Sequence, residues 1–244
     1  MLEKILKTYE NDHALPNNAN APENALFPQY LHLTDKNIID ALKKLKTNKA
    51  YSYDGFNNAC FRLNNYENPT EEDQKIINFL KRAINEKDFL NSDASNFLFR
   101  GRAILLNKKF PSIGGSKDFR PIICLSSFVQ FLYALLVDDL NFYQRFKMAP
   151  ELTGFIPTQE TSSNVRDSTI LTKKFLDINK ARPDSQNYVA ILFLDFSSAF
   201  EKCLRTEIYK IITEKKILSN DKIQLLKFIN EKMTVRIGKF STKN

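Results

Sequence analysis

Apolar residues recur at intervals of three and four along much of the chain, and this spacing predicts amphipathic helices. Thr34 stands where it can cap the first helix, and Thr70 with Asp73 has the spacing of a capping box before the second. A long apolar helix begins at Ser126 or Ser127. Further helices are predicted at about 162–180, 204–216 and 220–232.

Shorter apolar runs between turn residues predict strands. Residues 103–106 and 119–124 lie on either side of a turn at Gly114 and Gly115, so we expect them to pair. Two more strands are predicted at 188–194 and at 234–240. Because strands and helices are mixed in irregular order, the pattern favours an α+β fold over a doubly wound sheet.

Composition narrows the functional classes. The 244 residues include 36 basic and 28 acidic side chains, a net charge of +8, which permits nucleic-acid binding without establishing it. Cys60, Cys124 and Cys203 are far apart and the chain has only two histidines, so it lacks zinc-ligand spacing and disfavours histidine catalysis. We expect free thiols in a reducing compartment. No apolar run could span a membrane, and the charged N-terminus does not resemble a secretory signal.

Residues 187–205 are the most informative stretch of the sequence. An apolar run over 189–194 predicts a buried strand, and Asp195 follows it directly. A carboxylate at the end of a strand, beside a backbone carbonyl, is a natural ligand for Mg²⁺. Asp195 can equally cap a short helix that begins at Ser197. Taken alone, the stretch favours the cap, and only the rest of the chain favours the metal.

Basic residues cluster around the predicted hairpin. From Arg100 to Arg120 there are six basic residues and one acid, Asp118, which gives a local charge of +5. The six are Arg100, Arg102, Lys108, Lys109, Lys117 and Arg120. A solvated surface would explain such a run. Because the charges flank an apolar strand and a Gly-Gly turn, a hairpin that faces phosphate is at least as good an interpretation.

Four blocks of the sequence, in order, resemble the reverse transcriptases of non-LTR retrotransposons and group II intron maturases. They are KAYSYDG within 41–56, RPI within 102–125, GFIPTQ within 154–165, and LDFSSAFEK at 194–202. The order and spacing of all four make the resemblance specific, whereas the last block alone would be weak.

The resemblance implies a right-hand polymerase fold. Residues 1–33 would be an N-terminal extension, 34–150 a helical fingers-like region with a β-hairpin, and 151–244 an incomplete palm. Asp195 would be the catalytic carboxylate and would bind Mg²⁺ together with the backbone carbonyl of Phe196.

The resemblance also assigns substrate-binding residues. Phe200 would lie under the sugar of the incoming nucleotide and disfavour a 2′-hydroxyl, although a core Phe at the start of a helix explains it as well. Arg120 would bind the triphosphate with Lys108 or Lys109, since guanidinium and ammonium groups both bind phosphate oxygens. For Arg120 alone, a surface salt bridge to Asp118 is the alternative. Nucleic-acid contacts would come from Arg100, Arg102 and Lys117.

The sequence departs from the family pattern in ways that put catalysis in doubt. Neither a Q-G loop nor a Y-x-D-D hairpin follows Asp195. Asp138 and Asp139 precede it and lie on a helical stripe, so we expect them to face solvent or to pair with Lys or Arg. Ile156 and Gln159 stand where the family often has basic residues. Since two-metal catalysis needs several converging carboxylates, this polypeptide alone is expected not to polymerise DNA.

Two functions are consistent with this pattern. One is a split reverse transcriptase, which uses Mg²⁺ once another chain supplies the remaining palm motifs. The other is an inactive relic that serves as a structural or RNA-binding subunit of a ribonucleoprotein or organellar assembly. Both predict RNA or an RNA/DNA duplex and a second protein chain as partners, inside the cell. The bias towards Asn, Lys, Ile and Phe favours an AT-rich genome, such as a mitochondrial one. An unrelated basic α+β protein is the third alternative, which the lack of a hairpin near 101–124 would favour.

Overall fold

The computed structural model describes residues 26–29, 31–53, 55–108, 119–147, 161–180, 192, 203–237 and 240–241. These residues form an α+β fold, as the sequence pattern predicts. The chain divides into two compact units, of which the first contains Met1–Asp138 with Glu201–Asn244 and the second contains Asp139–Phe200.

Seven α-helices are present among the described residues. They are α1 (Asp35–Lys44), α2 (Glu71–Asn85), α3 (Lys87–Asn91), α4 (Ser127–Lys147), α5 (Thr161–Lys180), α6 (Arg205–Glu214) and α7 (Asn220–Lys232). Two 3₁₀ helices cover Asn58–Phe61 and Asp93–Phe99. The predicted long helix that begins at Ser126 or Ser127, and the helices predicted near 162–180, 204–216 and 220–232, are confirmed.

Capping boxes begin the first two helices, as the sequence indicates. The Thr34 hydroxyl accepts a hydrogen bond from the Asn37 N–H at the start of α1, and Thr70 does the same for Asp73 in α2. The Asp73 carboxylate is fully buried and also accepts hydrogen bonds from the N–H groups of Asn64 and Thr70 at 2.6 and 2.9 Å. This one side chain therefore fixes both the start of α2 and the loop before it.

The sheet is mixed and has four strands in the order β2-β1-β3-β4. The strands are β1 (Arg100–Asn107), β2 (Phe119–Cys124), β3 (Thr234–Ile237) and the two-residue β4 (Phe240–Ser241). The β1–β2 pair is antiparallel and confirms the predicted hairpin. The prediction of one strand over 234–240 is wrong, because Ile237 pairs with Phe240 and the chain reverses between them.

A parallel contact joins the C-terminal part of the chain to the hairpin. Arg100, Gly101 and Arg102 of β1 pair with Thr234, Val235 and Arg236 of β3. Position 101 favours glycine because the Ile123 side chain on the neighbouring strand approaches it closely. A Cβ at this position would lie 2.8 Å from Cγ2 of Ile123. The absence of a side chain at Gly101 lets Ile123 cover the root of the hairpin.

An aromatic cluster forms the part of the core that supports the sheet. Phe228 of α7 contacts Phe27 and Phe99 edge to face, with ring centroids 5.3 and 5.4 Å apart. Phe99 immediately precedes β1 and also contacts Phe128 of α4 at 6.3 Å. These contacts hold α7 against the start of β1. The strand that follows α7, β3, therefore lies beside β1 and pairs with it.

Lys232, at the end of α7, ties the same region together. Its ammonium group donates hydrogen bonds to the carbonyls of Leu90 and Ser92, both at 2.6 Å. It also lies 5.6 Å from the centre of the Phe228 ring, where the negative face attracts a cation. Burial lowers the pKa of Lys232, and the nearby Asp93 carboxylate opposes that shift.

The described part of the second unit consists mainly of the C-terminal end of α4 and of α5. Leu171, Phe175 and Ile178 of α5 recur at helical spacing and are 67, 50 and 67% exposed. This helix therefore presents an exposed apolar stripe.

Replacing Asp73 with Asn should destabilise the fold in a pH-dependent way. Burial raises the pKa of this carboxyl, but hydrogen bonds from Asn64, Thr70 and Asn65 outweigh burial and lower the pKa to about 2. Because the pKa in the folded protein lies below the ordinary Asp value of 3.8, the stabilisation is present above that value and is lost as pH falls towards 2. Urea unfolding at pH 7, 4 and 2.5 should show a lower midpoint for the variant and a shallower acid decline. An exposed neighbour, Glu72→Gln, is the control, and equal acid profiles for Asp73→Asn and wild type would contradict the prediction.

Gly101→Ala should lower the free energy of unfolding by about 1–3 kcal/mol, because the new Cβ overlaps the stiff side chain of Ile123. Ile123→Ala removes the overlapping methyl, so the double variant should be more stable than the sum of the single effects predicts. Denaturant unfolding of all four proteins measures this coupling. Strict additivity would show that the two side chains do not meet.

Candidate nucleic-acid interface

Four arginines are brought to one face of the sheet. Arg100 and Arg102 alternate along β1 and therefore project to the same side. Arg236 of β3 is paired with Arg102, and Arg120 of β2 is paired with Leu106 on that side of β1. We call this surface, made of Arg100, Arg102, Arg120 and Arg236, the arginine face.

The electrostatics of the arginine face are unbalanced. Arg102 and Arg236 occupy directly paired positions on adjacent strands, where like charges repel. β1, β2 and β3 contain no acidic residue, and none of the ion pairs found within the described ranges includes an arginine of this face. The arrangement concentrates positive charge that an anion would neutralise.

One arginine also has an unmet hydrogen-bonding requirement. The Nε atom of Arg102 is buried and has no hydrogen-bond partner in the described part of the chain. A buried donor without a partner costs free energy, and the cost is greater when the group is charged. A phosphate oxygen is a suitable acceptor because guanidinium groups form charge-assisted hydrogen bonds with it.

Apolar side chains lie between the arginines. Ile104, Leu106 and Ile122 share the same face and are 37, 46 and 43% exposed. On the opposite side, Gly101 and Ala103 are buried at the root of the hairpin. Ile123, also on that side, is exposed. The distal half of the hairpin therefore presents basic and apolar groups together on the arginine face.

The first block of the resemblance lies beside the start of this hairpin. The Ser52 hydroxyl donates a hydrogen bond of 2.8 Å to the Arg100 carbonyl, and Ser52 itself is buried. Its neighbours Tyr51 and Tyr53 are exposed. The first block thus meets the start of β1, two residues before the second block begins.

Of the other predicted site residues, the structure describes only Lys108. Lys108 is described and exposed just after β1, close to the strand end that carries Arg120. The remaining ones, Lys109, Lys117, Asp195, Phe196 and Phe200, lie outside the described residues, as do the Gly114-Gly115 turn and all of the predicted strand 188–194 except Leu192.

Asp138 is placed as the sequence predicted. It lies on helix α4 and forms a salt bridge of 2.6 Å with Lys44 of α1. A helical carboxylate paired with lysine does not form a hairpin, so Asp138 does not supply the Y-x-D-D hairpin of the family pattern.

Arg236 is the member of the arginine face that sequence reasoning did not identify. The pattern predicts a strand around it, but nothing in the pattern indicates which strand it would join. The parallel β1–β3 contact connects residues more than 130 positions apart. The only available signal was a basic residue alternating with apolar ones in the last predicted strand.

The remaining observations concern metal ligands, cysteines, membrane-spanning helices and related sequences. No group of three or more His, Cys, Asp or Glu side chains that could hold a metal ion occurs among the described residues. All three cysteines are free thiols. Within the described ranges, no helix has both the length and the apolar character needed to cross a membrane.

Comparison with known proteins finds no match for this sequence, either among protein-family models or among curated protein sequences.

Proposed function

We propose that this chain is a reverse-transcriptase-like fragment that binds single-stranded RNA, or the RNA strand of a duplex, through the arginine face. Polymerisation of DNA would require the remaining palm motifs, supplied by another chain. The observation that carries the binding proposal is the direct pairing of Arg102 with Arg236 on a sheet without acidic residues. Two paired cations persist more easily if a shared anion relieves their repulsion.

Phosphate is the anion that best suits this surface. Several guanidinium groups on adjacent strands can each bind a different oxygen of a phosphate backbone. The exposed Ile104, Leu106 and Ile122 offer apolar contacts to sugars or unstacked bases, and such contacts are available in single strands rather than in closed duplexes. A small phosphate ester would bind the arginines but would leave Ile104, Leu106 and Ile122 exposed to solvent.

The polymerase part of the proposal depends on the resemblance. Asp195 and the Phe196 carbonyl would hold Mg²⁺, which would neutralise charge that develops on the transferred phosphoryl group. They lie outside the described residues, and one carboxylate is too few to hold two ions. The residues present therefore fit only part of a metal centre, and no catalytic step is assigned to this chain by itself.

An inactive structural subunit is the second candidate. It is favoured by Ile122 and Ile123, which lie on opposite faces of the hairpin and are both 43% exposed. Nucleic acid on the arginine face would leave Ile123 uncovered, whereas a surrounding protein would cover both sides. In this alternative, RNA or protein binding persists and Asp195 has no catalytic role.

Neutral substitutions on the arginine face should weaken RNA binding. A charge-assisted hydrogen bond contributes about 1.5 kcal/mol, so Arg102→Gln and Arg236→Gln should each lower affinity roughly tenfold. The slope of log affinity against log salt should fall by about 0.7 for each lost contact with a single strand. Fluorescence anisotropy with a labelled single-stranded RNA at several salt concentrations measures both quantities.

Lys210→Gln provides the matched control for this experiment. Lys210 is an exposed cation of α6 in the same unit, and its loss changes the net charge by the same amount. Its variant should bind nearly as well as wild type. If all three variants bind alike, the attraction is diffuse and the arginine face is not the binding site.

Adding a chain with a Q-G loop and a Y-x-D-D hairpin should restore Mg²⁺-dependent primer extension on RNA. Asp195→Ala should then reduce nucleotide incorporation by roughly a hundredfold or more, because charge stabilisation at the reacting phosphate is lost. Asp138→Asn, which removes only the partner of Lys44, is the control and should retain activity. An inert pair that still binds RNA would refute the polymerase role and support the structural subunit.

A further inference from the structure

The loop that connects α1 to the first 3₁₀ helix presents two tyrosines to solvent. Tyr51 and Tyr53 are 54 and 41% exposed, whereas Ser52 between them is buried. Burial alternates over these three residues, as it does where successive side chains point to opposite sides of an extended backbone. The two phenol rings therefore project together, away from the side on which Ser52 is buried.

Hydrogen bonds at Ser52 fix these tyrosines against the hairpin. The Ser52 hydroxyl donates to the Arg100 carbonyl at 2.8 Å. The Ser52 carbonyl in turn accepts a hydrogen bond of 3.5 Å from the Gly55 N–H. This bond closes a turn in which Gly55 has a φ of 72°, a backbone conformation that favours glycine. The buried serine thus holds the loop by its side chain and by its main chain.

Asn58 ties the two ends of the same loop together. Its side chain is buried and donates to the Lys46 carbonyl and to Oε1 of Gln130 on α4, both at 2.9 Å. The loop is therefore anchored at its base as well as at Ser52. A surface that is ordered before it binds avoids part of the entropic cost of association.

The tyrosines lie next to the arginine face. With standard bond lengths, the Ser52–Arg100 hydrogen bond places the Cα atoms of Tyr51 and Tyr53 within about 12 Å of the Arg100 Cα. Phosphates follow one another along a strand at about 3.4 Å or more. A strand bound to the arginine face therefore reaches the two rings within about four nucleotides.

We propose that Tyr51 and Tyr53 form a stacking platform for unpaired bases of an RNA whose phosphates lie on the arginine face. Exposed Lys46 and Lys49 precede the rings, and residues 46–53 contain no acid. Aromatic rings beside cations are the combination that binds single strands, because each base offers a face for stacking. In a closed duplex these faces are already stacked on one another. The inference rests on the proposed RNA binding and adds selection of unpaired RNA over duplex.

An RNA strand without bases separates stacking from phosphate binding. Tyr51→Leu with Tyr53→Leu should lower the affinity for a labelled mixed-sequence single strand by roughly tenfold or more. The same variant should bind an abasic strand of equal length as wild type does, and its salt slope should not change, because no phosphate contact is lost. Arg102→Gln should instead weaken binding of both strands and lower the slope. Fluorescence anisotropy at several salt concentrations measures all of these quantities.

Two control variants test whether the rings themselves are responsible. Tyr51→Phe with Tyr53→Phe keeps both rings and should bind the mixed-sequence strand nearly as well as wild type. Phe79→Leu removes an exposed ring from α2, where Phe79 is 60% exposed and lines an apolar groove of about 780 Å³. This variant should also bind as wild type does. Equal losses in the Phe and Leu double variants would contradict stacking, since both lack only the hydroxyls in common.

Failure of the platform and failure of RNA binding give different results. If the Leu double variant binds both strands as wild type does while Arg102→Gln binds them weakly, the platform is refuted and the arginine face still binds RNA. If the Leu double variant loses affinity equally for both strands, the substitutions disturb the loop and stacking is also refuted. If wild type binds neither strand, both proposals fail.

Tyrosine fluorescence gives an independent measurement. The chain has nine tyrosines and no tryptophan, so its ultraviolet emission comes from tyrosine, and stacking against a base quenches that emission. Titration with the mixed-sequence strand should quench wild type more than it quenches Tyr51→Phe with Tyr53→Phe at equal saturation. Equal quenching of the two proteins would show that Tyr51 and Tyr53 do not stack on bases.

Discussion

The edge-to-face contacts of Phe228 with Phe27 and Phe99 are the interaction on which the rest of the described structure depends. Phe99 leads directly into β1 and Phe228 lies four residues before the end of α7, so this contact sets the distance between the hairpin and β3. Aromatic pairs add about 0.5–1.5 kcal/mol each beyond the area they bury. Lys232 reinforces the same junction by binding the Leu90 and Ser92 carbonyls.

The packing of α7 against the start of β1 also keeps two positive charges, Arg102 and Arg236, next to each other. With β3 held beside β1, Arg236 cannot move away from Arg102 without breaking the parallel ladder. Like charges at paired positions destabilise a sheet, and a buried Arg102 Nε without a partner in the described residues adds to the cost. Rigid elements that hold unfavourable polar groups in place are typical of binding sites. The aromatic core thus holds in place a basic surface that the sheet alone would not favour.

Helix α2 shows how one element serves two surfaces. Its inner residues Ile77, Leu80 and Ile84 are buried, while Ile76 and Phe79 line the apolar groove. The apolar stripe in the sequence is therefore wider than core packing alone requires. Asp73 fixes the start of this helix through hydrogen bonds to the preceding loop, so both surfaces depend on one buried carboxylate.

The sequence by itself determined the local structure, because helix caps, turn residues and apolar periodicity act over a few residues. Thr34, Thr70 and the paired runs of the hairpin were sufficient to place α1, α2, β1 and β2. The sequence also showed that Asp138 lies on a helix, since its apolar neighbours recur at helical spacing. The basic character of the hairpin was visible as well, because charge is a property of composition.

Only the tertiary structure decided which distant segments meet. The contact of β3 with β1 depends on how Phe228 packs against Phe99, and no local pattern encodes a partner more than 130 residues away. Arg236 therefore joined the arginine face without any sequence signal for its neighbours. The reversal between Ile237 and Phe240 was missed because strand propensity does not specify pairing. Periodicity identified the apolar residues, but packing alone divided them between the core and the groove.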